Sequence, residues 1–179
     1  ETISFGHGIT TTPLQAATAY ASLINGGKLI TPTLEFGKNK NLELQRVISE
    51  KTSEKLRNIL RKVVTHEKGT ASLANIYGYN VSGKTGTSQY YNDKNKNINT
   101  FISFFVVSKK TYTLLVMLDD PQIAKDLVYN YRGLRIKGTR NEAGWNAVYS
   151  SGKIIEKIGP ILAINNKEIP THHVVKKTN

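Results

Sequence analysis

The sequence predicts an α+β fold, an antiparallel sheet packed by helices. Two observations carry that expectation. Apolar residues recur at helical spacing in residues 50–65 and again from about residue 143 to 158. Between them, three extended runs at about 79–87, 100–107 and 111–118 follow one another with polar, hairpin-type connections. Such connections join antiparallel neighbours, because a parallel pair needs a longer crossover, usually helical.

Composition sets the outer bounds. The chain has 179 residues, 39% of them hydrophobic, enough for one globular domain with its own core. No apolar run is long enough to span a membrane, and no secretory pattern opens the chain. It begins Glu1-Thr2-Ile3-Ser4, as a segment of something longer would. There are no cysteines, which excludes disulfides and thiolate metal sites. His7, His66, His172 and His173 show no ligand spacing, so no metal site is expected. The net charge of +12 comes mostly from lysines scattered among many asparagines. That is a compositional bias rather than a basic stripe, and no nucleic-acid partner is expected. Residues 1–164 read as one unit and 165–179 as a polar tail.

Taken in order, residues 3–12 are rich in glycine and threonine and predict a loop, with Ser4-Phe5-Gly6-His7-Gly8-Ile9 at its centre. Thr12 then caps a helix with Pro13 in its first position. Leu14, Ala17, Ala21 and Ile24 share one face of it, and Gly26-Gly27 stops it. Leu29-Ile30-Thr31-Pro32 is short and extended. Residues 35–48 read as an exposed connection with a short strand at Gln45-Arg46-Val47-Ile48. Ser49 caps the helix over 50–65, whose apolar face is Leu56, Ile59, Leu60, Val63 and Val64. His66-Glu67-Lys68-Gly69 ends it, and Thr70-Ala71-Ser72-Leu73-Ala74 makes a short helical turn.

The three strands follow, with a polar loop expected over 88–99 and a turn at Ser108-Lys109-Lys110-Thr111. Residues 122–138 carry no clear pattern. Thr139 and Glu142 have capping-box spacing for a helix running through Ala143, Trp145, Val148, Tyr149, Gly152, Ile155 and Ile158. Gly159-Pro160 is expected to kink or end that helix, with one more turn to Ala163.

The chemistry concentrates in Asn80-Val81-Ser82-Gly83-Lys84-Thr85-Gly86-Thr87-Ser88. On a strand, Thr85 and Thr87 present both hydroxyls to one face, while Lys84 points to the other or lies along the edge. Gly83 and Gly86 allow a backbone or ligand to come close. A cation, two hydroxyls and free amides at a strand edge can hold a carboxylate and stabilise an oxyanion beside it. The run from Gly78 to Thr85 also satisfies G-x-x-x-x-G-K-[ST], the phosphate-binding P-loop pattern. The end of Leu114-Leu115-Val116-Met117-Leu118-Asp119 offers a candidate magnesium-side aspartate. A P-loop requires a buried strand before Gly78 and a helix opening at Lys84-Thr85. The flanking residues suggest neither.

Lys84-Thr85-Gly86-Thr87 resembles the third active-site motif of the penicillin-binding proteins and serine β-lactamases. The likeness extends over much of the chain. Ser4-Phe5-Gly6-His7-Gly8-Ile9, Thr12-Pro13-Leu14-Gln15 and Asn25-Gly26-Gly27 are similar to the family's Ser-Phe-Gly-x-Gly loop and the helix after it. Gly69-Thr70-Ala71 and Gly78-Tyr79 resemble its approach to the active-site strand. Ala143-Gly144-Trp145-Asn146-Ala147-Val148 and Gly152-Lys153-Ile154-Ile155 resemble its last helix.

That resemblance implies the C-terminal portion of the penicillin-binding protein/serine β-lactamase-like fold, in a class B, monofunctional peptidoglycan transpeptidase. It implies an acyl-serine reaction on peptidoglycan stem peptides, inhibited by β-lactams. Lys84 and Thr87 would be catalytic, the lysine through its field and proton transfer, Thr87 through a backbone amide in the oxyanion hole. Thr85, Gly86 and Thr87 would bind the substrate carboxylate. No metal or organic cofactor is implied. The setting implied is the outer face of the cytoplasmic membrane or the periplasm, with the whole protein membrane-anchored among envelope partners.

The family also needs Ser-x-x-Lys and Ser-x-Asn ahead of the Lys-Thr-Gly strand, and neither precedes Lys84. The one Ser-x-x-Lys is Ser150-Ser151-Gly152-Lys153, inside the last helix, and Tyr90-Tyr91-Asn92 imitates a variant of the second motif from within a hairpin loop. No nucleophile is expected in this chain; it would come from the N-terminal half of the same protein. Two alternatives remain at this point: a P-loop nucleotide hydrolase, and a non-catalytic interaction module with a penicillin-binding-like fold.

Overall fold

The structure, a computed structural model, describes residues 9–35, 44–90, 92–93 and 95–166. Its elements in chain order are α1 (Pro13–Ile24), α2 (Glu50–Thr65), a 3₁₀ turn (Ser72–Ala74), β1 (Ser82–Gln89), β2 (Asn97–Val107), β3 (Lys110–Asp119), β4 (Val128–Tyr131), β5 (Leu134–Lys137) and α3 (Ala147–Asn165). The loop expected around Ser4–Ile9 falls, but for Ile9, outside the described residues, as do His7, His172, His173 and the tail from residue 167.

Both N-terminal helices start where their caps dictate. Thr12 and Gln15 close a reciprocal capping box, Pro13 occupies the first turn, and Ser49 accepts the Thr52 amide at the head of α2. Gly26 and Gly27 turn the chain out of α1 at φ +88° and +83°, in the left-handed region that side chains disfavour. The short strand expected at 45–48 is reduced to a single bridge between Lys28 and Arg46.

The main sheet is antiparallel in the order β1-β2-β3. β2 is therefore the central strand, paired on both sides and buried on both faces. On one face Phe101, Phe105 and Val107 join Ala147, Val148 and Ile155 of α3 in the core. On the other, Phe104 meets Tyr20 of α1, with ring centroids 6.5 Å apart, and lies 4.9 Å from the guanidinium of Arg57 on α2. Ser108 and Lys109 form the β2–β3 turn, both at positive φ, as a two-residue hairpin matching the strand twist requires.

Several expectations need correcting. The loop drawn over 88–99 is shorter, because β1 continues to Gln89 and β2 begins at Asn97, where polar side chains hide the strand alternation. Leu14 and Ile59 fit the apolar phase of their helices but are 62% and 58% exposed. Helical spacing names a stripe, not how much of it a neighbour covers. The segment 122–138, without pattern in the sequence, contains the β4–β5 hairpin, turned by Arg132-Gly133 at positive φ.

α3 starts at Ala147, not Ala143. Asn146 takes the cap, and the Ala143 amide is spent on a β1 side chain instead of a helix. Trp145 therefore does not pack on the main sheet. It stacks on Tyr131 at 4.9 Å and meets Tyr129 edge-on at 5.4 Å, under the β4–β5 hairpin. Nor does Gly159-Pro160 end α3, which runs through Pro160 to Asn165. The missing proline N–H faces Glu156, an exposed residue whose carbonyl can turn to water.

Two predictions test this packing. Ile155→Ala removes a fully buried side chain and should lower unfolding stability by about 2–5 kcal/mol, whereas Ile59→Ala should change it by no more than about 0.5 kcal/mol. Urea unfolding of the purified protein checks both, and equal losses would contradict the burial described. Lys109→Gly should raise stability by about 1 kcal/mol, since it relieves a left-handed residue in the β2–β3 turn.

Candidate active site

β1 carries the Lys-Thr-Gly residues, and its register on β2 decides where each side chain goes. Thr85 pairs with Phe101 and Thr87 with Asn99, while Lys84 pairs with Ile102. Residues paired across antiparallel strands share a face. The two threonine side chains therefore project to the face that carries α3, and Lys84 to the opposite face. There its Nζ donates to the Thr85 carbonyl at 2.7 Å, and the residue is exposed. Gly83 is required by packing within the chain: a Cβ there would lie 2.5 Å from the Ile102 carbonyl oxygen and against the Phe101 ring. Gly86 is not, since a Cβ would meet nothing closer than the Thr100 Cβ at 3.9 Å. Its freedom is on the open side.

Thr85 and Thr87 open into a cleft of about 390 Å³. The segment following α2 supplies one wall, with Glu67, Lys68, Gly69 and Thr70. It folds back on the helix end through the Gly69 amide to the His66 carbonyl and the Ala71 amide to the Val63 carbonyl. Tyr131 from β4, with Arg140, Glu142, Ala143, Gly144 and Trp145 from the loop before α3, supplies the other. Lys84 is not among the residues that line it.

Hydrogen bonds fix both threonines. The Thr85 and Thr70 hydroxyls lie 2.9 Å apart, and the Thr87 hydroxyl oxygen accepts the Ala143 amide at 3.2 Å. A hydroxyl has one proton to donate and lone pairs to accept with. Thr87, already accepting, still has its proton to donate. The β4–β5 hairpin is held to the first wall by Arg132, which donates to the His66 carbonyl at 2.8 Å. The guanidinium beside it draws the Tyr131 phenol below the ordinary tyrosine range. The Arg140 guanidinium lies 5.3 Å from the Trp145 ring, so the far wall is aromatic with a cationic rim.

Other candidates lie elsewhere. Ser150 and Lys153 sit on α3, outside the cleft lining, and Lys153 pairs with Glu156 at 2.8 Å. Tyr90 donates to a carboxylate oxygen of Asp119 on β3, which ties down the end of the β1–β2 hairpin; Tyr91 is outside the described residues. Among the described residues no three His, Asp or Glu side chains group as metal ligands do. The P-loop alternative is excluded by geometry, because Lys84 and Thr85 lie inside an antiparallel strand and no helix opens there.

Sequence reasoning missed the cleft's far wall and the contribution of Thr70. Thr70 belongs to Gly69-Thr70-Ala71, which resembles the family's approach to the active-site strand, so a signal existed. Tyr131 and Arg140 lay in or beside the segment without pattern, and no spacing ties them to β1.

Comparison with known proteins points to one family. The family model described as penicillin binding protein transpeptidase domain matches residues 1–138. The chain is 31% identical, over 92% of its length, to a probable peptidoglycan D,D-transpeptidase FtsI of Caulobacter vibrioides. It is 34% identical, over 68% of its length, to the stage V sporulation protein D of Bacillus subtilis. It spans 28% and 21% of the lengths of these two relatives. Among solved structures, the transpeptidase domain of Burkholderia pseudomallei penicillin-binding protein 3 superposes with a TM-score of 0.68 at 23% identity, covering 89% of this chain and 45% of that one. The transpeptidase domain of a Legionella pneumophila FtsI4 D,D-transpeptidase gives 0.59 at 25% identity, covering 87% and 50%. The antiparallel sheet flanked by helices is thus part of the fold these domains share, and the run through Lys84 lies within the matched family segment: the chain belongs to the penicillin-binding protein transpeptidase domain family.

Proposed function

We propose that this chain forms the Lys-Thr-Gly side of a D,D-transpeptidase site that cross-links peptidoglycan. The observation that carries the reading is the pair of threonine hydroxyls on one face of β1, opening into a cleft; Gly86, between them in the sequence, is exposed but is not among the residues that line it. Thr85 and Thr87 would hold the carboxylate of a stem peptide, or of a β-lactam, through charge-assisted hydrogen bonds. The Thr87 amide would serve as one oxyanion donor. Lys84, on the far face of the strand, would supply positive field.

In the reaction proposed, a serine oxygen attacks the penultimate D-alanine carbonyl and loses its proton; the peptide bond breaks and the amine of the departing terminal D-alanine takes up a proton. An amine of a second strand then attacks the acyl-enzyme and loses a proton as the ester bond breaks and the serine oxygen regains one. The nucleophile would come from an N-terminal half of the same, longer protein; the chain spans only 28% and 21% of the two relatives' lengths, which supports this reading. The setting that fits is the outer face of the cytoplasmic membrane or the periplasm, with the longer protein anchored in the membrane. No helix among the described residues is long and apolar enough to cross a membrane.

Acylation by a penicillin tests the reading. In the longer protein, Thr87→Val should slow acylation roughly 10- to 100-fold, the loss expected for a charge-assisted hydrogen bond, and Lys84→Ala should slow it through the lost positive field. Unchanged rates in both would show the site is elsewhere. The chain by itself should take no stoichiometric label in intact mass spectrometry; an adduct on Ser150 or any other serine would overturn the assignment of the nucleophile.

A further inference from the structure

We infer that Asn99 is a positioning residue for the Thr87 hydroxyl, acting through the loop that precedes α3; the inference rests on the site proposed above. Asn99 lies directly across the β1–β2 register from Thr87 and is fully buried. Its side-chain amide donates to the backbone carbonyl of Asn141. Asn141 in turn donates from its side chain to the Pro121 carbonyl, and receives a hydrogen bond from the Asn146 side-chain amide at 3.0 Å. Asn146 caps α3. Three asparagines thus pin the loop at both ends, and between them Ala143, itself 1% exposed, directs its amide onto the Thr87 oxygen at 3.2 Å.

The consequence for Thr87 is a matter of proton direction. With its oxygen accepting from Ala143, the hydroxyl is set to donate into the cleft, where a carboxylate would sit. Without that amide the hydroxyl rotates freely and can spend its proton on a local acceptor. Asn99 is an unfavourable residue for stability alone. Its side-chain oxygen has no hydrogen-bond partner among the described residues, and a β-branched apolar side chain would suit a buried strand position better. What the asparagine supplies that valine cannot is the closer of two donors to the Asn141 carbonyl, which also accepts from the Asn146 side-chain amide at 3.4 Å.

The test separates orientation from stability in the longer protein that carries the serine. Second-order acylation by a fluorescent penicillin and thermal unfolding are measured for the wild type, Asn99→Val, Asn99→Ala, Thr87→Val and the Asn99→Val/Thr87→Val double variant. Asn99→Val should keep or raise the melting temperature and yet slow acylation roughly tenfold, the effect of one oriented hydrogen bond. In the Thr87→Val background the same change should alter the rate less than about twofold, because the hydroxyl it acts through is gone. Asn99→Ala, which leaves space rather than filling it, reads the same coupling should valine fail to fold. Equal slowing in both backgrounds, or slowing only in step with lost folded protein, would overturn the inference while leaving the site intact. A wild-type protein that takes no label would overturn the site and this inference with it.

Discussion

The antiparallel register of β1 on β2 is the constraint on which the site depends. It pairs Thr85 with Phe101, Thr87 with Asn99 and Lys84 with Ile102. A slip of one residue would exchange the faces, sending the lysine toward α3 and both hydroxyls toward α1 and α2. Several features oppose a slip. Gly83 sits where any side chain would strike the Ile102 carbonyl and the Phe101 ring. Just before β1, the Val81 carbonyl accepts a hydrogen bond from Arg61 of α2, and the Tyr79 carbonyl accepts the Val106 amide at 2.9 Å. Stability and chemistry therefore meet in the same ladder: the aromatic core under β2 fixes the alternation that sorts cation from hydroxyls.

The cleft is an assembly of segments far apart in the sequence, joined to one another by polar contacts. Thr70 reaches β1 from the end of α2, Arg132 ties the β4–β5 hairpin to that same segment, and Ala143 closes on Thr87 from the far side. The aromatic group of Tyr129, Tyr131, Trp145 and Tyr149 lies beneath the hairpin, separate from the phenylalanine core of the main sheet. This division gives the sheet one foundation and the outer wall of the cleft another.

Much of this was legible because local chemistry decided it. Thr12, Pro13 and Ser49 announce their helices, and the β2 run of apolar residues could only be an interior strand. Lys84-Thr85-Gly86-Thr87 stood out because its residue types suit one task. What stayed hidden depends on contacts that no local pattern encodes. Glu142 has capping-box spacing from Thr139, yet Asn146 takes the cap because the Ala143 amide finds Thr87. Asn99 falls at the end of the polar loop expected over 88–99, although its side chain bonds Asn141, 42 residues away, and it pairs with Thr87 on the neighbouring strand. Tyr131 and Arg140 acquire their place only when the hairpin docks. Lys84 was expected on the other face or along the edge, and the register puts it on the other face; nothing in the spacing said that it would be absent from the cleft lining.

The separation between these contacts also orders events in time. β2 and β3 meet through a two-residue turn and β1 joins through one hairpin loop, so the meander needs only short loop closures. The Ala143–Thr87 contact closes across 56 residues, and Asn166 reaches Tyr112 across 54. During synthesis the strand bearing Lys84 and Thr87 can be paired while the segment that orients Thr87 is still unmade. The strand would then exist before its hydroxyl is aimed, and competence to bind would arrive with the last helix.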